Sequence, residues 1–172
     1  MKGTILKCLQ ELVISNFGKD KWEKSLEDVG LKKSTLILPI MDFDDSLTMK
    51  IIEAVCKILN ISLTQAADAF GDYWVNVYSQ KMYNNYYKGK TVKEFLLNMD
   101  NIHVEITKTL KNARPPRFDY EWKDDKTLIM HYKSYRGLID FVNGLVKGVG
   151  KFYKEDIKVT KLGTSKIQII FQ

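Results

Sequence analysis

Thr91-Val-Lys-Glu-Phe-Leu-Leu-Asn-Met-Asp-Asn-Ile-His103, running on to Asn112 and the pair Pro115-Pro116, decides how this chain folds. Its opening, Thr91-x-x-Glu94, has the form of a capping box. A Thr hydroxyl and a Glu carboxylate there satisfy two backbone N–H groups that a first helical turn leaves unpaired. Leu96, Met99, Ile106 and Leu110 recur at the spacing of a buried helix face and predict one helix from about Thr91 to Leu110. His103 falls on that stripe, where another Leu or Met is expected. An imidazole in that place is either a hydrogen-bonded core residue or a ligand, and the helix alone does not choose between them. Asn112 and the two prolines end the helical pattern.

Beyond the prolines the hydrophobic period changes from 3.6 to 2. Arg117 to Trp122 and Leu128 to Ser134 read as strands joined by a turn at Lys123-Asp-Asp-Lys126. A helix from about Leu138 to Phe152 carries Gly144 and Gly148, which permit close approach of another backbone or a flat ligand. Asp156 to Thr160 and Lys166 to Phe171 form a last hairpin around Leu162-Gly-Thr-Ser165. Upstream the pattern is helical: Gly3 to Phe17, a short helix around Trp22, Leu26 and Val29, and a helix from about Leu47 to Leu59. Ser62-Leu-Thr-Gln65 is a second capping box and opens a helix to about Gln80, with Trp74 and Tyr78 on one face. Leu36-Ile-Leu-Pro39 is extended, because proline disfavours helix in the residue before it. Helices first and antiparallel strands last is an α+β layout.

A length of 172 residues, 45% hydrophobic and 28% charged, makes one soluble domain with a real core the expectation. No apolar run is long enough to span a bilayer, and the opening Met1-Lys-Gly-Thr-Ile-Leu6 lacks a signal-peptide core, so a cytoplasmic setting is expected. The net charge of +6 comes from dispersed lysines such as Lys32-Lys33, Lys88, Lys90, Lys108 and Lys111. That is a solvated basic surface, not a nucleic-acid motif. Cys8 and Cys56 lie in separate helical patterns and read as reduced thiols. With only His103 and His131 present, a multi-histidine metal site is not expected.

A second constellation is His131-Tyr-Lys-Ser-Tyr-Arg136. On a strand, side chains alternate faces, so Tyr132, Ser134 and Arg136 share one, neighbours about 7 Å apart, with Leu128 and Met130 continuing it inward. Two hydroxyls and a bidentate guanidinium at the end of an apolar face suit an anionic ligand with two carboxylates and an apolar body. A sheet face emerging into solvent has the same pattern. His131 has the opposite parity and is expected at the surface.

These pieces resemble the haem-nitric oxide/oxygen binding (H-NOX) domain, related to the haem domain of soluble guanylate cyclase. The resemblance runs over essentially the whole chain: Met1-Lys-Gly-Thr-Ile5, Asp42-Phe-Asp-Asp45, Ala69-Phe-Gly71 before Trp74, Met99-Asp-Asn-Ile-His103, Arg114-Pro-Pro116, Tyr132-x-Ser134-x-Arg136 and Gly144-Leu-Val-Lys-Gly148. It implies a single domain, with a helical part over about 1–60 and a haem and sheet part over about 61–172. The fold implied is mainly helical with a C-terminal antiparallel sheet, the haem lying between helices and sheet. It implies that His103 ligates the iron of a non-covalent haem b (iron protoporphyrin IX), and that Tyr132, Ser134 and Arg136 hold the propionates. It gives Pro116 a place against the macrocycle, lets Asp45 steady Arg136, and lines the pocket with Trp74, Tyr78, Phe141, Leu145, Met99 and Ile5. An imidazole in an apolar stripe is what a ferrous porphyrin needs, so the two oddities explain each other.

In family members that hold oxygen stably a tyrosine stands five residues after the motif arginine; here that position is Phe141. A phenyl ring donates no hydrogen bond to polarised bound oxygen, a difference of about 1–3 kcal/mol in an apolar pocket. The resemblance therefore implies a sensor of nitric oxide, with CO also bound and oxygen disfavoured, unless Trp74 or Tyr78 supplies the donor. Weakening of the iron–His103 bond would release the helix and give two states. No nucleophile, general-base pair or phosphate loop accompanies the pocket, so sensing and not turnover is expected. The output is expected in a histidine kinase, cyclase or chemotaxis protein, separate or in the same longer chain, with no nucleic acid and no membrane insertion. From another class, a carrier of an apolar carboxylate or another tetrapyrrole would use Arg136 as anchor and leave His103 structural.

Overall fold

Leu6, Leu9, Leu12 and Val13 recur along one side of the first helix, and burial of that side draws the N-terminal elements together. The computed structural model describes all 172 residues, Met1–Gln172, and divides into two compact units, Met1–Ala66 and Ala67–Gln172. The first unit holds α1 (Gly3–Phe17), α2 (Lys19–Asp28) and α3 (Asp45–Leu59). Trp22, Leu26, Ile51 and Val55 complete its buried centre. α3 begins where Asp44 accepts the backbone N–H groups of Ser46 and Leu47 at 2.8 and 3.1 Å, and it ends on Asn60 in the left-handed region. The segment after α2 turns at Lys33-Ser34 and again at Pro39-Ile40, and runs beside the chain start. Gly3 N–H donates to Met41 O at 2.7 Å and Thr4 N–H to Pro39 O at 3.1 Å.

α4 (Leu63–Tyr73) opens with the expected capping box: Gln65 N–H donates to Ser62 Oγ at 3.2 Å and Ser62 N–H to Gln65 Oε1 at 2.8 Å. The single helix predicted to Gln80 is interrupted by a π-helical turn over Trp74–Tyr78, followed by the short α5 (Gln80–Tyr83). Ser79 N–H reaches back five residues to Trp74 O at 2.8 Å. The wider turn disturbs the normal ladder, and side chains bond its carbonyls: Asn76 Nδ2 donates to Asp72 O and Gln80 Nε2 to Val75 O, at 3.1 and 2.7 Å.

The predicted Thr91–Leu110 helix is two helices, α6 (Val92–Leu97) and α7 (Met99–Thr107). The Thr91–Glu94 capping box is present. Asn98 breaks the run with φ −91° and ψ 0°. The apolar stripe continues past Asn98: Ile102 is 6% exposed, His103 and Ile106 are half-buried, and Leu110 lies beyond the helix, 43% exposed.

β1 (Arg117–Trp122), β2 (Thr127–Lys133), β3 (Ile157–Leu162) and β4 (Lys166–Phe171) form an antiparallel sheet in the order β1-β2-β4-β3. Asp124 makes the β1–β2 turn by accepting the N–H groups of Lys126 and Thr127 at 2.9 and 2.7 Å. Phe118, Leu128, Met130, Tyr132, Ile167 and Ile169 bury one face of the sheet beneath α8 (Ile139–Tyr153). α8 also crosses α4 at backbone contact. A Cβ on Gly144 would stand 2.2 Å from Ala67 O, and one on Gly71 would stand 2.1 Å from the Gly144 carbonyl carbon. Asp68 with Lys147 (2.8 Å) and Asp72 with Lys151 (2.5 Å) flank that crossing. No helix is long and apolar enough to cross a membrane.

Candidate functional site

His103 stands on the sheet-facing side of α7, its ring 5.7 Å from that of Phe118 on β1. Its Nδ1 lies 3.0 Å from the Pro116 carbonyl oxygen. That oxygen can only accept, so Nδ1 carries the proton and, in the neutral ring, Nε2 carries the lone pair. Loss of water around the ring pushes its pKa below the ordinary histidine value, against the opposing pull of the Pro116 contact and of Asp100. The side chain is thus a neutral imidazole with its donor nitrogen turned away from the Pro116 contact.

Asp100, one turn before His103, accepts Arg117 Nε at 2.7 Å, Arg117 Nη2 at 2.5 Å and Phe118 N–H at 2.9 Å. The Arg117 hydrogen bond is the main reason its carboxyl is held below the usual range. No motif in the sequence marks this pair. The only signal was an acid three residues before His103 and a base directly after Pro116.

Tyr132 is 6% exposed, and its hydroxyl accepts Leu138 N–H at 3.2 Å. Ser134 Oγ accepts Arg136 N–H at 3.3 Å, and Arg136 Nη1 donates to Arg114 O at 2.5 Å. The three do not form the straight strand row that was expected. β2 ends at Lys133, and Tyr135-Arg136 turn ahead of Gly137, whose φ of +64° is open to glycine at little cost. The turn feeds α8, and its hydrogen bonds keep Tyr132, Ser134 and Arg136 in one short segment. His131, on the other face, meets Glu121 at 3.1 Å, in keeping with its parity.

The remaining candidates in the second unit build an aromatic wall. Phe70 stacks on Trp74 at 5.8 Å, Trp74 stacks on Tyr78 at 5.4 Å, and Phe141 meets Phe70 edge-on at 5.3 Å. Tyr78 and Phe141 are buried. Met99 and Leu145 are half-buried and, with Trp74, pack against the core between the sheet and α8. Ile5 and Asp45 belong to the first unit: Ile5 is half-buried on α1, and Asp45 pairs with the Met1 amino group at 2.7 Å. A neutral imidazole nitrogen, a phenol, a hydroxyl, a guanidinium and an apolar aromatic wall are the chemistry that a flat iron porphyrin with two carboxylates requires.

The chain is 29% identical to soluble guanylate cyclase gcy-32 of Caenorhabditis elegans over 88% of its own length and 23% of that protein. It is 27% identical to gcy-34 of the same organism over 96% of its own length and 25% of that protein. It therefore spans about a quarter of the length of these curated relatives. Among solved structures, a Cs H-NOX mutant carrying 4-cyano-L-phenylalanine at site 5 aligns with a TM-score of 0.87 and 27% identity, over 100% of this chain and 97% of that one. An oxygen-binding H-NOX domain related to soluble guanylate cyclases, solved as its oxygen complex, aligns at 0.82 and 27%, over 100% and 95%. The family described as Haem-NO-binding matches residues 2–161. The mixed helical and four-stranded architecture is that of the H-NOX structures, and the part of the cyclases that is matched is the sensing, not the catalytic, one. The chain belongs to the Haem-NO-binding family, the haem-binding gas-sensor domains.

Proposed function

We propose that this chain senses nitric oxide, also binding CO, at a ferrous b-type haem ligated by His103, with oxygen the disfavoured gas. The observation that carries the reading is the His103–Pro116 contact, which leaves a neutral Nε2 lone pair as an iron donor. Bound haem would supply the metal position at which a diatomic gas is captured. Tyr132, Ser134 and Arg136 would hold its two carboxylates, and Pro116, Met99, Trp74, Tyr78, Phe141 and Leu145 would enclose its apolar body. Phe141 offers no O–H to a polarised ligand, which supports nitric oxide and CO over oxygen.

In this reading residues 1–172 act as one sensing domain and α7 is its moving part. α7 is short, it is separated from α6 at Asn98, and its sheet-side attachment runs through His103, Asp100 and the start of β1. Released from an iron, His103 would let α7 shift together with the start of β1 to which it is tied, which gives a partner two states to distinguish. The relatives' names support a cyclase as that partner, in a cytoplasmic setting; a histidine kinase or chemotaxis protein would read the same motion.

A second reading, an oxygen sensor, is supported by Tyr78, whose phenol lies beside Trp74 on the aromatic wall, and by the oxygen-binding H-NOX relative. Ferrous spectra under argon, O2, CO and NO in turn test both. Stable CO and NO complexes without an oxygen complex support the first, and a long-lived oxygen complex the second. No Soret band after haem supplementation overturns both in favour of an apolar carboxylate carrier.

A further inference from the structure

We propose that Asp100 and Arg117 are positioning residues that clamp α7 to β1 and so hold the His103 imidazole on the Pro116 carbonyl. The consequence for a metal rests on the haem reading above; the clamp itself rests on geometry alone. Pro116, Arg117 and Phe118 are consecutive, and each grips the same turn of α7. Pro116 O meets His103 Nδ1 at 3.0 Å, Arg117 places two nitrogens on the Asp100 carboxylate at 2.7 and 2.5 Å, and Phe118 N–H donates to Asp100 at 2.9 Å. Residues three apart share a helix face. One anchor would leave α7 free to pivot about His103; two anchors one turn apart fix both its roll and its distance from β1.

The fork geometry matters. A bidentate arginine–carboxylate pair resists rotation about its own axis in a way that a single contact does not. Asn98, with ψ 0°, is the one irregular residue between α6 and α7, and the clamp fixes the roll of α7 beyond it. The hydrogen bond from Thr107 Oγ1 to His103 O, at 2.6 Å, lies within α7 and adds no hold on the sheet. With the clamp in place, Nδ1–H stays on a carbonyl, and an imidazole so engaged is the better donor at Nε2.

The test uses Arg117→Gln, Asp100→Asn and the conservative Arg117→Lys, with two readouts. In the haem-free chain, ¹⁵N NMR reports which His103 nitrogen carries the proton. In the haem-loaded chain, resonance Raman reports the iron–histidine stretch. The wild type is expected as the Nδ1–H tautomer. In Arg117→Gln and Asp100→Asn the tautomer mixture is expected to shift toward Nε2–H, and the iron–histidine band to move to lower frequency. The five-coordinate nitrosyl fraction is expected to rise and haem affinity to fall roughly 10- to 100-fold, with Arg117→Lys intermediate. Unchanged tautomer and band in both neutral variants, even with a lowered melting temperature, reduce the pair to a structural brace and overturn the proposal. A wild type that binds no haem overturns the sensor reading instead, and the tautomer measurement then decides the clamp.

Discussion

His103 Nδ1 and the carbonyl oxygen of Pro116 lie 3.0 Å apart, thirteen residues distant in sequence and on opposite sides of the junction between helix and sheet. The contact sets the tautomer of the only helix-borne histidine and leaves its other nitrogen off the Pro116 carbonyl. Replacing His103 by Gly is expected to abolish the Soret band of bound haem, and added imidazole is expected to restore it. A variant that binds haem and nitric oxide like wild type without imidazole would show that another residue is the ligand.

Phe141→Tyr places a phenolic O–H on the aromatic wall, where the phenyl ring now meets Phe70 edge-on at 5.3 Å. A hydrogen bond to polarised oxygen in an apolar setting is worth about 1–3 kcal/mol, roughly five- to 150-fold in lifetime. Stopped-flow oxygen dissociation from the ferrous protein measures it. No gain would remove Phe141 from the distal side.

Gly144→Ala is expected to destabilise by about 1–3 kcal/mol or more, the range for overpacking a tight contact. The new methyl would stand 2.2 Å from Ala67 O, a backbone atom that cannot rotate aside. Urea unfolding followed by circular dichroism gives the number. A loss below a few tenths of a kcal/mol would mean that α4 and α8 separate readily.

Asp100 makes acid stability depend on the α7–β1 junction. Its carboxyl is held below the usual carboxylate range, first by the hydrogen bond from Arg117. A group whose folded pKa is depressed contributes stability that is present above its unfolded pKa, near 3.9, and lost as pH falls through the folded value. Haem-free Asp100→Asn is therefore expected to be less stable than wild type at pH 6, with the gap closing below about pH 3.9. Melting temperatures measured across that window check the sign; a gap that persists at low pH would point to a packing defect.

Local chemistry wrote much of this protein into its sequence. Both capping boxes, the switch of period after Pro116 and the Asp124 turn need only a few neighbouring residues each. The parity of β2 likewise put His131 outside and Tyr132 inside. The Tyr-x-Ser-x-Arg segment and the misplaced histidine were visible too, as residue types at a spacing, and with them the family. Their geometry was not. The arrest at Asn98, the π turn at Trp74 and the bend that takes Arg136 out of the strand are decided by which faces must meet in the folded core, and a repeat of apolar residues tolerates such shifts without showing them. The pairing of Asp100 with Arg117, and of His103 with Pro116, depends on where the start of β1 returns to α7. That return is a property of the sheet's packing and of no local stretch, so the tertiary structure alone decided which nitrogen of His103 is left to bind.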